Sequence, residues 1–169
     1  MMPFSQEAEM SLLGAILIDK ECVAAVIEIV SVEDFYLKEN KEIFETMLEM
    51  FNLNLSIDFV TLLDQLKLKG YYDENITKQY VLQLVDMVPT VSNVVSYAKI
   101  VKEKSLLREL VLVSEEIKEL AMSSGDEVKN VMDLAEQRIY NIMQDRQTKG
   151  FLKIRDVILD SYQLSLIHI

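Results

Sequence analysis

Side chains that could perform nucleophilic or acid–base chemistry are few in this chain. Cys22 is the only cysteine and His168 the only histidine. A catalytic thiol needs a neighbouring base, and no histidine lies in the interior of the sequence. Cys22, on a predicted helix beside core positions, is therefore interpreted as a small buried hydrophobe. His168 is assigned no role.

Carboxylates are abundant, and two adjacent pairs resemble acid–base pairs at first sight. These are Glu33 with Asp34 and Glu115 with Glu116. Adjacent residues do not face each other on a helix, so solvated surface charge is the favoured interpretation. No G-x-x-x-x-G-K-[ST] loop occurs that could hold nucleotide phosphates. The sequence therefore predicts no catalytic, cofactor-binding or metal site, and no enzyme activity for this chain.

The chain is acidic, and its charge is unevenly distributed. It has 169 residues and a net charge of −11. Residues 1–96 hold six lysines and no arginine against sixteen carboxylates, a net charge of −10, whereas residues 97–150 are almost neutral. An acidic surface repels phosphate backbones, so no direct nucleic-acid binding is expected. This charge argues against a helical DNA-binding domain.

The sequence also indicates in which cellular compartment the chain is expected. The start, MMPFSQEAE, lacks the basic region of a signal peptide. The longest apolar stretches are shorter than a membrane span, so no membrane association is expected. A single cysteine cannot form an internal disulfide. We predict a cytoplasmic protein.

Residues 1–96 read as a small bundle of short helices. Ser5 is a predicted N-cap, followed by an apolar stripe of Ala8, Leu12, Leu13, Ile16 and Leu17. Gly14 within that stripe indicates close helix packing. Further helices are predicted to begin at Asp19, near Asn40, at Asp58 and at Thr77, and Gly70 and Pro89 are predicted stops.

Residues 97–147 predict a long antiparallel helical hairpin. No helix breaker occurs from about Ser92 to Met122, and the turn-like stretch 123–126 precedes a second helix over about 127–147. Heptad-like seams are predicted on both helices. The first comprises Leu107, Leu110, Ser114, Ile117 and Ala121, and the second comprises Val128, Val131, Ala135, Arg138 or Ile139, and Ile142.

A two-helix hairpin buries little apolar surface by itself. Apolar residues expected on its outside need another partner, either the bundle or a second copy of the chain; they are Val113, Leu120, Leu134 and Met143. The change in charge and helix length near residue 97 favours a second copy. The predicted oligomer interface comprises Leu107, Leu110, Val111, Ile117, Val131, Leu134, Ile139 and Ile142. Periodicity alone does not separate contacts within the hairpin from contacts with a second copy.

Residues 148–162 predict a short linker helix. Its apolar residues are Phe151, Ile154, Val157 and Ile158, and no groove within the chain obviously receives them. We expect this helix to dock into a groove elsewhere; the alternative is a helix that folds back on the core. The stretch QLSLIHI, residues 163–169, does not continue a charged linker pattern and is interpreted as a non-native tail.

Four segments occur in the order found in the N-terminal domain of bacterial replicative DNA helicases of the DnaB family, which the chain resembles from residue 3 to about residue 162. PFSQEAEMSLLGAILID contains Pro3, Glu7, Ala8, Glu9, Leu13 and Gly14 of the family's opening pattern. DFYLKENKEIFETM contributes Asp34, Phe35, Tyr36, Ile43 and Phe44. SIDFVTLLDQL contributes Ile57, Asp58, Val60, Thr61 and Leu62. VPTVSNVVSYAKIVKEKSLLREL contributes Pro89, Asn93, Tyr97, Ala98, Ile100 and Val101.

The resemblance implies an all-helical bundle with a hairpin that pairs to form a collar on a hexameric helicase. It implies docking of primase and in some cases of a helicase loader, and packing of the linker helix on the motor domain of a neighbouring subunit. ATP and Mg²⁺ belong to that motor domain, which is absent from this sequence. The alternative to a piece of a helicase is a free-standing helical interaction adaptor that has no motor domain.

Overall fold

The computed structural model describes residues 1–123, 125 and 127–145, and within these residues every regular element is a helix. The all-α prediction is confirmed. The chain divides into two compact units, Met1–Ser105 and Leu106–Ile169. The predicted linker helix, with Phe151, Ile154, Val157 and Ile158, and the predicted tail 163–169 lie outside the described residues.

Five helices form the bundle, and two longer ones follow. The helices are α1 (Gln6–Ile18), α2 (Cys22–Val26), α3 (Lys38–Asn52), α4 (Phe59–Leu68), α5 (Thr77–Met87), α6 (Val94–Met122) and α7 (residues 128–145). Short 3-10 turns at Val32–Asp34 and Val91–Asn93 precede α3 and α6. No helix in the described part of the chain is long and apolar enough to cross a membrane.

The predicted helix boundaries at Ser5, Asp58, Gly70 and Pro89 are confirmed. The Ser5 hydroxyl accepts a hydrogen bond from the Ala8 amide at 3.2 Å. Asp58 and Thr61 form a capping box in which each side chain accepts from the other residue's amide at 2.9 Å. Gly70 has φ +77°, a conformation that glycine adopts without steric cost, and it ends α4. Helix α5 ends at the residues before Pro89.

Asp19 does not cap the second helix as predicted. Helix α2 begins at Cys22, with Glu21 in the N-cap position. The Asp19 carboxylate instead accepts from the amide of Glu21, two residues later, at 3.0 Å. Aspartate forms this local turn as readily as a helix cap, so the sequence alone did not separate the two.

Helix α1 lies at the centre of the bundle, because every residue from Ala8 to Leu17 is buried. The predicted stripe is therefore only part of what α1 buries. Gly14 allows the close approach that the sequence indicated: a Cβ atom there would collide with the Leu84 carbonyl and the Val88 side chain of the α5 segment. The contact between α1 and α5 thus requires glycine at this position.

Of the adjacent aromatic residues Phe35 and Tyr36, only Phe35 lies in the core. The Phe35 side chain is buried, and its ring centroid lies 4.7 Å from that of Phe44. Tyr36 is 40% exposed and its ring lies 4.7 Å from that of Phe4. Consecutive side chains of an extended segment point in opposite directions, so only one of the two enters the core.

A buried carboxylate from α1 caps helix α3. Glu9 is 2% exposed and accepts hydrogen bonds from the amides of Tyr36 at 2.6 Å and Leu37 at 3.4 Å, and from Asn40 Nδ2 at 2.7 Å. Leu37, in the N-cap position of α3, has no side chain that could do this. Asn40 Oδ1 in turn accepts from the Tyr80 hydroxyl at 2.6 Å, which joins α3 to α5.

Asp34, interpreted from the sequence as solvated surface charge, is instead buried and fixes the first turns of α6 to the bundle. Its carboxylate accepts from the Ser31 amide at 2.8 Å and from the Ser105 hydroxyl at 2.7 Å, and lies 3.3 Å from Lys102 Nζ. Burial alone would raise the pKa of this carboxyl, but these hydrogen bonds and the lysine charge hold the pKa below its ordinary value. Through these hydrogen bonds and the ion pair with Lys102, Asp34 links the 3-10 turn to α6.

Candidate functional site

Residues 106–145 form the predicted antiparallel hairpin of α6 and α7. Ser123 and Gly125 lie between the two helices. Arg138 Nη2 of α7 lies 3.0 Å from Glu116 Oε1 of α6, which shows that α7 runs back alongside α6. In an antiparallel pair, residue numbers rise along one helix as they fall along the other. A residue a few positions after Glu116 therefore lies opposite the residue the same number of positions before Arg138.

Half-buried side chains mark the seam between the two helices. On α6 these are Val113, Ile117 and Leu120, on the same side as Glu116. On α7 the seam residues, on the side of Arg138, are the half-buried Val131, Leu134 and Ala135 and the buried Ile142.

The expected phase of the α6 seam was therefore wrong except at Ile117, which lies in the seam as predicted. Val113 and Leu120 of α6 and Leu134 of α7 were expected on the outside, and they lie in the seam. Leu107, Leu110, Ser114 and Ala121 were expected in the seam, and they are exposed. Met143 is exposed, as predicted.

Two exposed apolar stripes remain, one on each helix. Leu107, Leu110 and Val111 of α6 are 40–46% exposed. Val128, Met132, Ile139 and Met143 of α7 recur at intervals of four, seven and four residues and are 41–79% exposed. This spacing places the α7 residues on one side of the helix.

The two stripes lie on the same side of the hairpin. Each residue turns a right-handed helix by roughly 100°. On both helices, the exposed stripe is reached from the seam by rotating about the helix axis by about a quarter to a third of a turn. The sense of this rotation is the one in which residue numbers increase. Because the helices are antiparallel, these rotations lead to one common side. We name this surface the apolar hairpin face; it comprises Leu107, Leu110, Val111, Val128, Met132, Ile139 and Met143.

The opposite side of the hairpin is mainly polar. It carries Asn130, Asp133 and Gln137, and the Glu116–Arg138 ion pair lies at its border with the seam. One large apolar residue, Leu112, is exposed on this side of α6. The hairpin therefore has one apolar and one polar surface besides its seam.

The predicted interface residues fall into two groups. Leu107, Leu110, Val111 and Ile139 belong to the apolar hairpin face. Ile117, Val131, Leu134 and Ile142 belong to the seam. Sequence reasoning placed Val128 in the seam and did not single out Met132. The regular spacing of Val128, Met132, Ile139 and Met143 is the signal that would have found both.

The family model that matches this chain is that of the DnaB-like helicase N terminal domain, over residues 1–103. The replicative DNA helicase DnaB of Geobacillus stearothermophilus is 32% identical over 167 residues, which are 98% of this chain and 37% of that protein. The replicative DNA helicase DnaC of Bacillus subtilis (strain 168) is 31% identical over 95% of this chain and 35% of its own length. The chain thus spans little more than a third of these relatives.

Solved structures agree with this match. The crystal structure of the N-terminal domain of DnaB helicase from Mycobacterium tuberculosis has a TM-score of 0.76 at 30% identity, over 83% of this chain and 99% of that one. A DnaB-like replicative helicase, studied with its interactions with primase, has a TM-score of 0.60 at 18% identity, over 89% of this chain and 35% of its own; this likeness concerns the fold alone. From its sequence and its fold, this chain belongs to the family of DnaB-like helicase N-terminal domains.

Proposed function

We propose that this chain is the N-terminal assembly and docking domain of a hexameric replicative DNA helicase. In this proposal it performs no reaction itself. It pairs with other copies through the hairpin and presents surfaces for primase and, where one exists, a helicase loader. ATP and Mg²⁺ would act at a motor domain in the remaining length that the relatives have.

The observation that carries the assembly role is the apolar hairpin face. Seven large apolar side chains lie exposed on one side of two helices, while the opposite side is mainly polar. A group of exposed apolar side chains of this kind is typical of protein interaction sites. A second hairpin supplies the same surface in return, which is the arrangement that a two-fold symmetric interface requires.

Two points support the docking role. The relatives are replicative helicases, and a protein of the same fold is described with its interactions with primase. The strongly acidic bundle is unsuited to DNA and suited to basic protein surfaces. We propose DNA contact for other parts of the parent protein.

The first test of the assembly role measures solution mass by light scattering over a concentration series. Wild-type chain is compared with Ile139→Asp, which places a charge in the apolar hairpin face, and with Leu112→Asp, which places the same charge on the opposite side of the hairpin. Wild type and Leu112→Asp are expected to form dimers or larger species. Ile139→Asp is expected to associate at least tenfold more weakly, because an unpaired charge would be buried on pairing.

Circular dichroism provides the folding control for both variants, since each residue is exposed and neither change should reduce the helix content. The assembly role fails if the wild type stays monomeric at high concentration. It also fails if the two variants associate equally well.

Primase binding is tested separately by calorimetric titration, and no heat of binding with any bacterial primase tried would contradict the docking role.

A further inference from the structure

Two neighbouring clefts lie on the bundle, within Met1–Ser105. The first, of about 280 Å³, is lined by apolar parts of Leu37, Ile43, Leu66 and Tyr80. The second, of about 730 Å³ and more open, is lined by Phe4, Met10 and Met87. Gln6 lines both clefts, so they meet at that side chain. We name the two clefts together the bundle groove.

Helix α5 forms a continuous wall of the bundle groove. Ile76, at its N-cap, and Tyr80 line the first cleft, and Gln83 and Met87 line the second. These four residues follow one another at intervals of four, three and four, which places them on one side of the helix. The parts of α5 that border the two clefts are about seven residues apart, or roughly 10 Å at 1.5 Å per residue. That distance equals two turns of a helix lying parallel to α5.

The floor of the first cleft is uncharged. The Tyr80 hydroxyl donates to Asn40 Oδ1 at 2.6 Å, so its proton is already used inside the bundle. Burial, together with the nearby Glu9 and Glu39 charges, raises the pKa of Tyr80 to about 12 and keeps the phenol neutral. The cleft can therefore receive an apolar side chain without leaving a charge unpaired.

The rim of the groove is acidic. Glu39 and Glu42 line the first cleft, and Glu7 and Asp86 line the second, together with the N-terminal residue Met1. Neither lining includes a lysine or arginine among the described residues. Glu42 lies 3.7 Å from Lys38, whose side chain is 85% exposed; such a pair is weak and readily exchanged. The surrounding residues 1–96 carry a net charge of −10. A ligand of this groove must therefore be apolar in the middle and positive at its edges.

We propose that the bundle groove docks a basic amphipathic helix of a partner protein. Two apolar side chains seven residues apart on that helix occupy the two clefts, and lysine or arginine side chains beside them face Glu39, Glu42, Glu7 and Asp86. Binding of an amphipathic helix in a groove is a recurrent mode of recognition. The inference deepens the docking part of the proposed function and rests on it, but it does not require the hairpin to pair.

The test uses the full chain and a synthetic helical peptide as the probe. The peptide has leucines seven residues apart and lysines at the flanking positions; a second peptide keeps the leucines and replaces the lysines by glutamates. Affinity is measured by fluorescence anisotropy at low and high salt, and the binding position by amide chemical shifts. The lysine peptide is expected to bind, with the largest shifts along α5 and near Gln6, and to weaken as salt rises. The glutamate peptide is expected not to bind.

Two variants locate the binding, and a third controls for net charge. Glu39→Gln combined with Glu42→Gln is expected to weaken the lysine peptide about fivefold, as two exposed ion pairs would. Gln6→Arg adds a bulky positive group where the clefts meet and is expected to weaken it about tenfold or more. Glu21→Gln combined with Asp64→Asn removes the same charge from exposed positions outside the groove, and a change of less than about twofold is expected.

Three results would overturn the inference. The first is that the lysine peptide fails to bind at low salt. The second is that the groove and control double variants weaken peptide binding equally, which means general charge attraction only. The third is that the groove variants change the self-association of the chain, which means that a second copy occupies the groove.

Ile139→Asp separates this inference from the assembly role. It should weaken self-association at least tenfold and leave peptide binding within about twofold.

Discussion

Glu9 is a buried carboxylate whose partners are all hydrogen-bond donors. It links the first helix of the chain to the beginning of α3, 27 or more residues later in the sequence. The amides of Tyr36 and Leu37, just before α3, and the Asn40 side chain donate to the two carboxylate oxygens of Glu9. Through Asn40 the same interaction reaches Tyr80 on α5. One side chain thus fixes the position of three helices.

Replacing Glu9 should therefore cost far more stability than replacing its exposed neighbour. We expect Glu9→Ala to lower the free energy of unfolding by about 2–4 kcal/mol, because it leaves buried donors without an acceptor. Glu7→Ala removes an exposed carboxylate from the same helix and should change it by about 0.5 kcal/mol or less. Urea unfolding followed by circular dichroism measures both. Equal losses would mean that the Glu9 hydrogen bonds contribute nothing specific.

Asp34 makes the stability of the bundle depend on pH. Its carboxyl has a lower pKa in the folded chain than the ordinary value of 3.8. Its stabilising contribution is therefore fully present above about pH 4, and is lost as the pH falls through the folded-state pKa. Comparison of wild type with Asp34→Asn in urea between acidic and neutral pH should show a difference that shrinks on acidification. If the difference in unfolding free energy instead grew toward low pH, the stabilising role of the Asp34 ion pair and hydrogen bonds would be contradicted.

At the scale of the elements, most helix ends could be predicted from the sequence, with Asp19 as the exception. The buried sides of the helices could be predicted only in part. Ser5, Asp58, Gly70 and Pro89 act through their own backbone or that of close neighbours, so sequence alone locates them. The cap that Glu9 supplies depends on two distant segments meeting, which no local pattern encodes.

The seam of α6 illustrates the limit of periodicity. Apolar residues occur at 106, 107 and 110–113 and so cover most of the helix circumference. Several phases of a heptad therefore fit equally well, and only the position of α7 selects Val113, Ile117 and Leu120. Helix α7 has a polar side and was predicted more accurately, with Val131, Ala135 and Ile142 in the seam.

The packing of α1 on α5 gives a prediction at the same scale. Gly14→Ala would place a Cβ against the Leu84 carbonyl, whose carbon would be 2.8 Å away, so the two helices must separate. We expect a loss of about 1–3 kcal/mol in the free energy of unfolding. Gly125→Ala is the matched control, because open space surrounds its added Cβ, and a change of about 0.5 kcal/mol or less is expected. Thermal unfolding of the two variants compares them directly, and similar melting temperatures would contradict the close-packing argument.

At the scale of the whole molecule, charge governs which partners are compatible. A chain with net charge −11 should bind neither single-stranded nor duplex DNA appreciably, even at low ionic strength. Fluorescence anisotropy with labelled oligonucleotides measures this, and a single-stranded-DNA-binding protein serves as the positive control. Submicromolar binding at low salt would contradict the separation of docking and DNA contact that we propose.

The single cysteine has a practical consequence. Cys22 is buried in the bundle, and burial raises the pKa of its thiol, so it is mostly protonated and shielded from reagents in the folded chain. A thiol-reactive dye can modify it only while the bundle is open around α2. The rate of labelling therefore reports the opening equilibrium under native conditions, without denaturant and without an introduced probe. Because the wild-type sequence already contains this reporter, the stability of the bundle can be followed while partners are bound or the hairpin is altered.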